Sequence, residues 1–120
     1  MKKVIIGRYG FECEGKEYMT STYGIGADGR YHIGEIKEEV IVEENKFYYA
    51  YGSQCNEDWE VQYVIFFIWN GKIIVGEYFE DDEIFFYDMD EEELDCIPKS
   101  IEEKAIKYCH CNCDDKYAEF

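Results

Sequence analysis

The sequence predicts an α+β domain: an antiparallel β-sheet meander of about six to eight short strands around a central Asn70-Gly71 hairpin, with one C-terminal helix. Three observations carry that expectation. The 120 residues are 47% apolar and 18% aromatic, enough for one packed domain spanning 1–120 and too rich for a disordered acidic chain. Trp59, Val61, Tyr63, Ile65, Phe67 and Trp69 alternate up to Asn70-Gly71, and a second apolar run follows from Lys72 to Phe79. Finally, Ile101, Ala105, Tyr108 and Cys109 recur at helical spacing behind the only proline, Pro98.

Taken in chain order, the upstream strand candidates are Lys2–Tyr9, Glu17–Tyr23, Arg30–Ile36, Glu39–Glu44 and Lys46–Tyr51. Gly, Asp and Asn punctuate them at Gly24–Gly29 and at Asn45. Asn-Gly is the favoured two-residue hairpin turn because both positions tolerate positive φ. That turn sets Phe67 opposite Ile74 and Tyr63 opposite Tyr78 on one face. Phe66 meets Val75 and Ile68 meets Ile73 on the other. With both faces apolar, the hairpin needs cover on each side, from the rest of the chain or from a partner such as a second copy in a homodimer. Ile84–Tyr87 is a further strand candidate, and Ser100 with Glu103 has the spacing of a capping box for the helix.

The chain carries 12 Lys and Arg against 28 Asp and Glu, a formal net of −16. This excludes a broad basic face for gripping nucleic acid or anionic lipid, so the expected partners include neither directly. The imbalance is local: Glu77–Asp95 holds eleven acids and no Lys or Arg, over two-thirds of the net charge. Tyr78, Phe79, Phe85, Phe86 and Tyr87 lie inside that run. Rings of this kind fix a backbone against a core, which a solubilising tail does not do. One reading of the stretch is a solvated acidic face. The sharper one is a surface that occupies the nucleic-acid site of a basic protein, with Glu77, Glu80, Asp81, Asp82, Glu83, Asp88, Asp90, Glu91, Glu92 and Glu93 as its partner-binding groups. Duplex DNA presents one charge per ~1.7 Å of axis, whereas nineteen extended residues at ~3.3 Å each space eleven acids about 6 Å apart. An extended stretch alone is too dilute a mimic, so the reading calls for a hairpin and a turn, with Glu35, Glu38, Glu39, Glu43 and Glu44 available to extend the patch.

Other chemistry has less behind it. Asp88-x-Asp90-x-Glu92 alternates like the first ligands of a calcium loop, but the sixth position is Glu93 rather than glycine and the twelfth is Lys99. Cys109, His110, Cys111 and Cys113 are soft-metal ligand types that could hold zinc, with Cys13, Cys55 or Cys96 as a distant fourth. Their Cys-x-Cys-x-Cys spacing departs from the usual two to four intervening residues, and Cys109 also fits the helix packing face. Gly24-Ile25-Gly26-Ala27-Asp28-Gly29 matches a dinucleotide fingerprint in letters only, because Arg30-Tyr31-His32-Ile33 reads as strand where that motif needs a helix. His32 and His110 are the only histidines, and neither falls into a Ser-His-Asp or Cys-His pattern, so no catalytic residue is assigned.

Met1–Arg8 has an apolar run of three residues, short of the roughly 7–15 of a secretory signal, which points to a cytoplasmic protein with reduced thiols. The expected function is therefore a non-enzymatic acidic inhibitor of a basic nucleic-acid-binding protein or nuclease, acting partly by nucleic-acid mimicry. A phage counter-defence protein such as an anti-CRISPR, or a nuclease immunity protein, would have this character. The alternative is a small metal-stabilised structural or adaptor domain using the C-terminal cysteines.

Overall fold

The computed structural model describes residues 1–50, 61–79, 81–111 and 117–120. Among them the chain is α+β, with two antiparallel sheets and one helix near the C-terminus. The first sheet contains β1 (Lys2–Gly7), β2 (Gly10–Cys13), β3 (Lys16–Met19) and β4 (Ile36–Val42) in the order β3-β2-β1-β4. The second contains β5 (Lys46–Tyr49), β6 (Val61–Trp69), β7 (Lys72–Phe79), β8 (Glu83–Tyr87), β9 (Glu93–Leu94) and β10 (Tyr117–Glu119) in the order β10-β5-β6-β7-β8-β9. Strands β5 to β9 form the expected meander. The helix, α1 (Lys99–Cys111), packs against β7 and β8.

The central hairpin has the register set by its turn. Asn70 and Gly71 both take positive φ (52° and 75°), and Phe67 pairs Ile74, Tyr63 pairs Tyr78, Phe66 pairs Val75 and Ile68 pairs Ile73. Its two apolar faces are covered differently. Val64, Phe66, Ile68, Ile73 and Val75 meet Val4, Ile6, Phe11, Tyr18, Val40 and Val42 of the first sheet. Ile65, Phe67, Ile74 and Tyr78 meet Ala105, Tyr108 and Cys109 of the helix. The result is three layers, sheet on sheet on helix, with the hairpin in the middle layer. One helix cannot cover both faces of a doubly apolar hairpin, so the N-terminal strands fold over the second face as a separate sheet.

Three sequence expectations shift. Arg30–Ile36 is not a strand beyond a single Ile25–Tyr31 bridge and its last residue, Ile36, which opens β4. Its backbone instead braces a glycine-rich loop: His32 N–H donates to the Gly24 carbonyl at 2.8 Å, and Tyr9 N–H donates to the Ile33 carbonyl at 2.8 Å. Strand β2 was hidden because Phe11 and Cys13 are its only large apolar residues. The β2–β3 turn is a second positive-φ pair, Glu14 and Gly15 (54° and 81°). Ser100 is not the helix cap either. Lys99 opens the helix, and the Pro98 carbonyl accepts from Ile101 and Glu102 N–H groups, each at 3.0 Å.

Candidate partner-binding surface

The acidic stretch begins on β7, crosses β8 and ends beyond β9, the outer edge of the six-stranded sheet. Strand alternation fixes it in place. Ile84 and Phe86 are buried against the helix layer, so Glu83 and Phe85 face the opposite way. The two turns flanking β8 carry most of the acids, Asp81 and Asp82 at one end and Asp88 to Glu92 at the other. Five residues of strand hold the turns about 17 Å apart. The fold therefore builds two foci of negative charge rather than an even ladder.

Not every acid in the stretch belongs to the surface. Glu77 is only 6% exposed and lies between the sheets, which removes it from the partner-binding set. Its carboxylate accepts a hydrogen bond from the Tyr18 hydroxyl at 3.1 Å, joining β7 to β3. Burial pushes the Glu77 carboxyl above its ordinary value, opposed by the Tyr18 bond and reinforced by the charge of Glu91. Burial likewise raises the Tyr18 hydroxyl, with Glu77 adding to it. Glu80 lies outside the described residues.

Other acids are exposed but occupied within the chain. Asp88 is half-buried, and its Oδ1 accepts from the N–H groups of Asp90 at 2.9 Å and Glu92 at 3.0 Å. That closes the turn, in which Glu91 takes a φ of 65°. Asp90 is paired with Lys16 at 2.9 Å, and this contact holds the Lys16 ammonium above its usual range. Asp82 accepts a hydrogen bond from the Tyr78 hydroxyl and stands 3.5 Å from His110 Nδ1. Asp81, Glu83, Glu91, Glu92, Glu93 and Asp95 are exposed, and no cation lies within ion-pair distance of them among the described residues.

Three lysines meet at one cleft. It has a volume of about 260 Å³ and is lined by Lys2, Lys16 and Lys72 together with Glu14, Asp88 and Asp90. Lys2 pairs with Glu14 there, and Lys16 with Asp90. This cleft is balanced in charge. The unbalanced acids lie at the Asp81–Glu83 turn and along the outer edge from Glu91 to Asp95.

Cys109 and His110, the metal-ligand candidates whose side chains are described, do not converge. Cys109 is buried with Tyr108 in the helix-facing core, while His110 is exposed and turned to Asp82. Neighbouring helix positions point about 100° apart, which accounts for the divergence. Cys113 lies outside the described residues, as does Cys55. Among the described residues no group of three His, Cys, Asp or Glu side chains is placed to hold a metal ion. Asp88, Asp90 and Glu92 follow the same rule, since their turn is closed by its own backbone. Cys13 and Cys96 are free thiols, and burial raises the Cys13 thiol.

Sequence reasoning also missed the ring pair on this edge. Phe79 and Phe85 stack edge to face with centroids 5.5 Å apart, beside Glu83. The register of β7 with β8 would have revealed it had the Asp81-Asp82 turn been recognised; Asp82 carries its positive φ of 57°.

Glu77 supplies a pH test of the inter-sheet contact. A carboxyl raised in the folded state contributes stability that is full below its unfolded value and is lost as pH rises through its folded value. Glu77→Gln keeps an acceptor for the Tyr18 hydroxyl and removes the titration. The variant should match the wild type near pH 4 and exceed it at pH 8 in urea midpoint. A wild type that is the more stable form at pH 8 would contradict the assignment.

Among the described residues no helix is long and apolar enough to cross a membrane. Comparison of the chain with protein-family profiles, curated proteins and solved structures finds no match.

Proposed function

We propose that the chain is a non-enzymatic acidic inhibitor that occupies the nucleic-acid site of a basic, nucleic-acid-handling protein. The supporting observation is the β7–β8 turn together with the outer edge of the six-stranded sheet. Asp81 and Glu83 at the turn, and Glu91, Glu92, Glu93 and Asp95 along the edge, are exposed without a cation partner among the described residues, yet β8 is anchored by buried Ile84 and Phe86. Concentrating uncompensated charge on a rigid edge costs stability through self-repulsion. A partner with basic groups at matching positions relieves that repulsion, and the field speeds encounter with it.

The spacing fits partial mimicry. Two foci about 17 Å apart span roughly five base-pair steps of a duplex, so the surface would engage two basic patches of a nucleic-acid cleft. The setting is a cytoplasmic one, with phage counter-defence against a nuclease effector, as by an anti-CRISPR, or immunity to a nuclease toxin as the functional class.

The experiment is capture on the immobilised chain, washed at low and then high salt, followed by a nucleic-acid-binding assay on what is recovered. The variant with Asp81, Glu83, Glu92 and Glu93 all changed to Lys runs beside the wild type. A basic protein held by wild type alone, released by salt and blocked from its DNA or RNA by the wild-type chain, is the expected result. Equal capture by both forms, or a captured protein whose nucleic-acid binding is unaffected, would refute the proposal.

A further inference from the structure

Resting on the proposed inhibitor reading, we infer that the Phe85 face of the sheet edge is an arginine-docking site, with Phe85 as the anchor that the partner's guanidinium groups stack upon. The pairing register brings the required groups to one face. Glu83, Phe85 and Tyr87 share one face of β8, with Glu83 and Phe85 exposed and Tyr87 partly buried against the inter-sheet core; Phe79 stands directly across from Glu83, and Glu93 directly across from Tyr87. Burial raises the Tyr87 hydroxyl, and the charges of Glu77 and then Glu93 add to it. A strip of rings thus runs between two exposed carboxylates.

Phe85 is 39% exposed although Ile84 and Phe86 on either side of it are buried. Its ring is held by Phe79, so it is presented without a large loss of side-chain freedom on binding. Same-face neighbours on a strand are about 6.7 Å apart, close to the ~6 Å reach of a cation over a ring centroid. A guanidinium lying on Phe85 therefore reaches Glu83, and a second lying toward Tyr87 reaches Glu93. Arginine fits this geometry better than lysine: it is planar, weakly hydrated, stacks on rings and grips carboxylates with paired N–H groups. The occupant is accordingly an arginine-bearing segment of the basic partner, chosen by charge complementarity and by the rings together.

The test uses acetylated octa-arginine and octa-lysine peptides at matched ionic strength, with affinity from titration and location from backbone amide shifts. Octa-arginine should bind the wild type about two- to fivefold more tightly than octa-lysine, and Phe85→Ala should erase that preference. Phe85→Tyr should keep it. Shifts should centre on Glu83, Phe85, Tyr87 and Glu93. Equal binding of octa-arginine to wild type and Phe85→Ala, or shifts spread evenly over all the acidic turns, would overturn the assignment. Thermal melts of both Phe85 variants check that the fold is kept. The two readings fail separately: a partner lost by charge reversal but retained by Phe85→Ala removes the anchor and leaves the inhibitor, whereas a partner indifferent to reversal removes the inhibitor.

Discussion

Phe66→Ala is expected to destabilise the fold by about 3–5 kcal/mol, the range for a fully buried phenylalanine. Phe66 lies on the central strand β6 with its ring 5.1 Å from Phe11 and 5.7 Å from Tyr48. Phe11 belongs to the four-stranded sheet and Tyr48 to the six-stranded one, so this ring fills the space where the two layers meet. Truncation leaves a cavity between sheets whose strands are fixed by their own ladders and cannot collapse into it. Domains of this kind have about 5–15 kcal/mol in total, so the loss is a large share of the whole. Urea denaturation should show a lower midpoint with the slope retained, while Phe85→Ala on the exposed edge should shift it far less. Similar midpoints for the two variants would mean that the inter-sheet core is not where the stability lies.

Reversing Asp81, Glu83, Glu92 and Glu93 to Lys should have the largest functional effect. It moves the formal net charge from −16 to −8 and leaves the side-chain contacts that shape the turns in place. The choice is structural. Asp88 closes its own turn, Asp82 takes the Tyr78 hydroxyl and Asp90 holds Lys16, so reversing those three would disturb the fold as well as the field. Electrostatic steering changes association rates by roughly 10- to 1,000-fold. The reversed chain should associate with the captured target slower by a factor in that range at low salt. Raising the salt should bring the two rates together as the Debye length shrinks from about 10 Å at 0.1 M toward 3 Å at 1 M. Stopped-flow association across a salt series measures this. A rate unchanged by reversal at low salt would show that the edge does not steer binding.

Much of the fold was legible because its strongest signals are local. The Asn70-Gly71 turn fixes a two-residue loop, and that loop fixes the pairs from Trp69–Lys72 out to Tyr63–Tyr78, beyond which an irregularity shifts the register to Val61–Phe79. The helix face was readable from the spacing of Ile101, Ala105, Tyr108 and Cys109. Strand β2 and the loop from Gly24 to Gly34 were not, since their structure depends on distant backbone partners. Gly34 shows why: it takes a φ of 78°, and a Cβ there would sit 2.6 Å from the Tyr9 ring. No pattern within a few residues of Gly34 announces Tyr9.

The candidate surface divides in the same way. Its acidity and its embedded rings are matters of composition and order, and Glu77–Asp95 displays them without any structure. Which acids face a partner is another matter. Glu77 and Glu83 are the same residue type six positions apart, yet one is buried under Tyr18 and the other is exposed beside Phe79. The sequence by itself determined the sheet-and-helix class, the hairpin register and the location of the charge, because each follows from alternation, turn chemistry or a count. Only the tertiary structure decided which carboxylates are buried, which are held by lysines and which stand beside the Phe85 ring. Burial and pairing depend on how the first sheet lies across the second, and that is set by contacts between residues such as Tyr18 and Glu77, far apart in the chain.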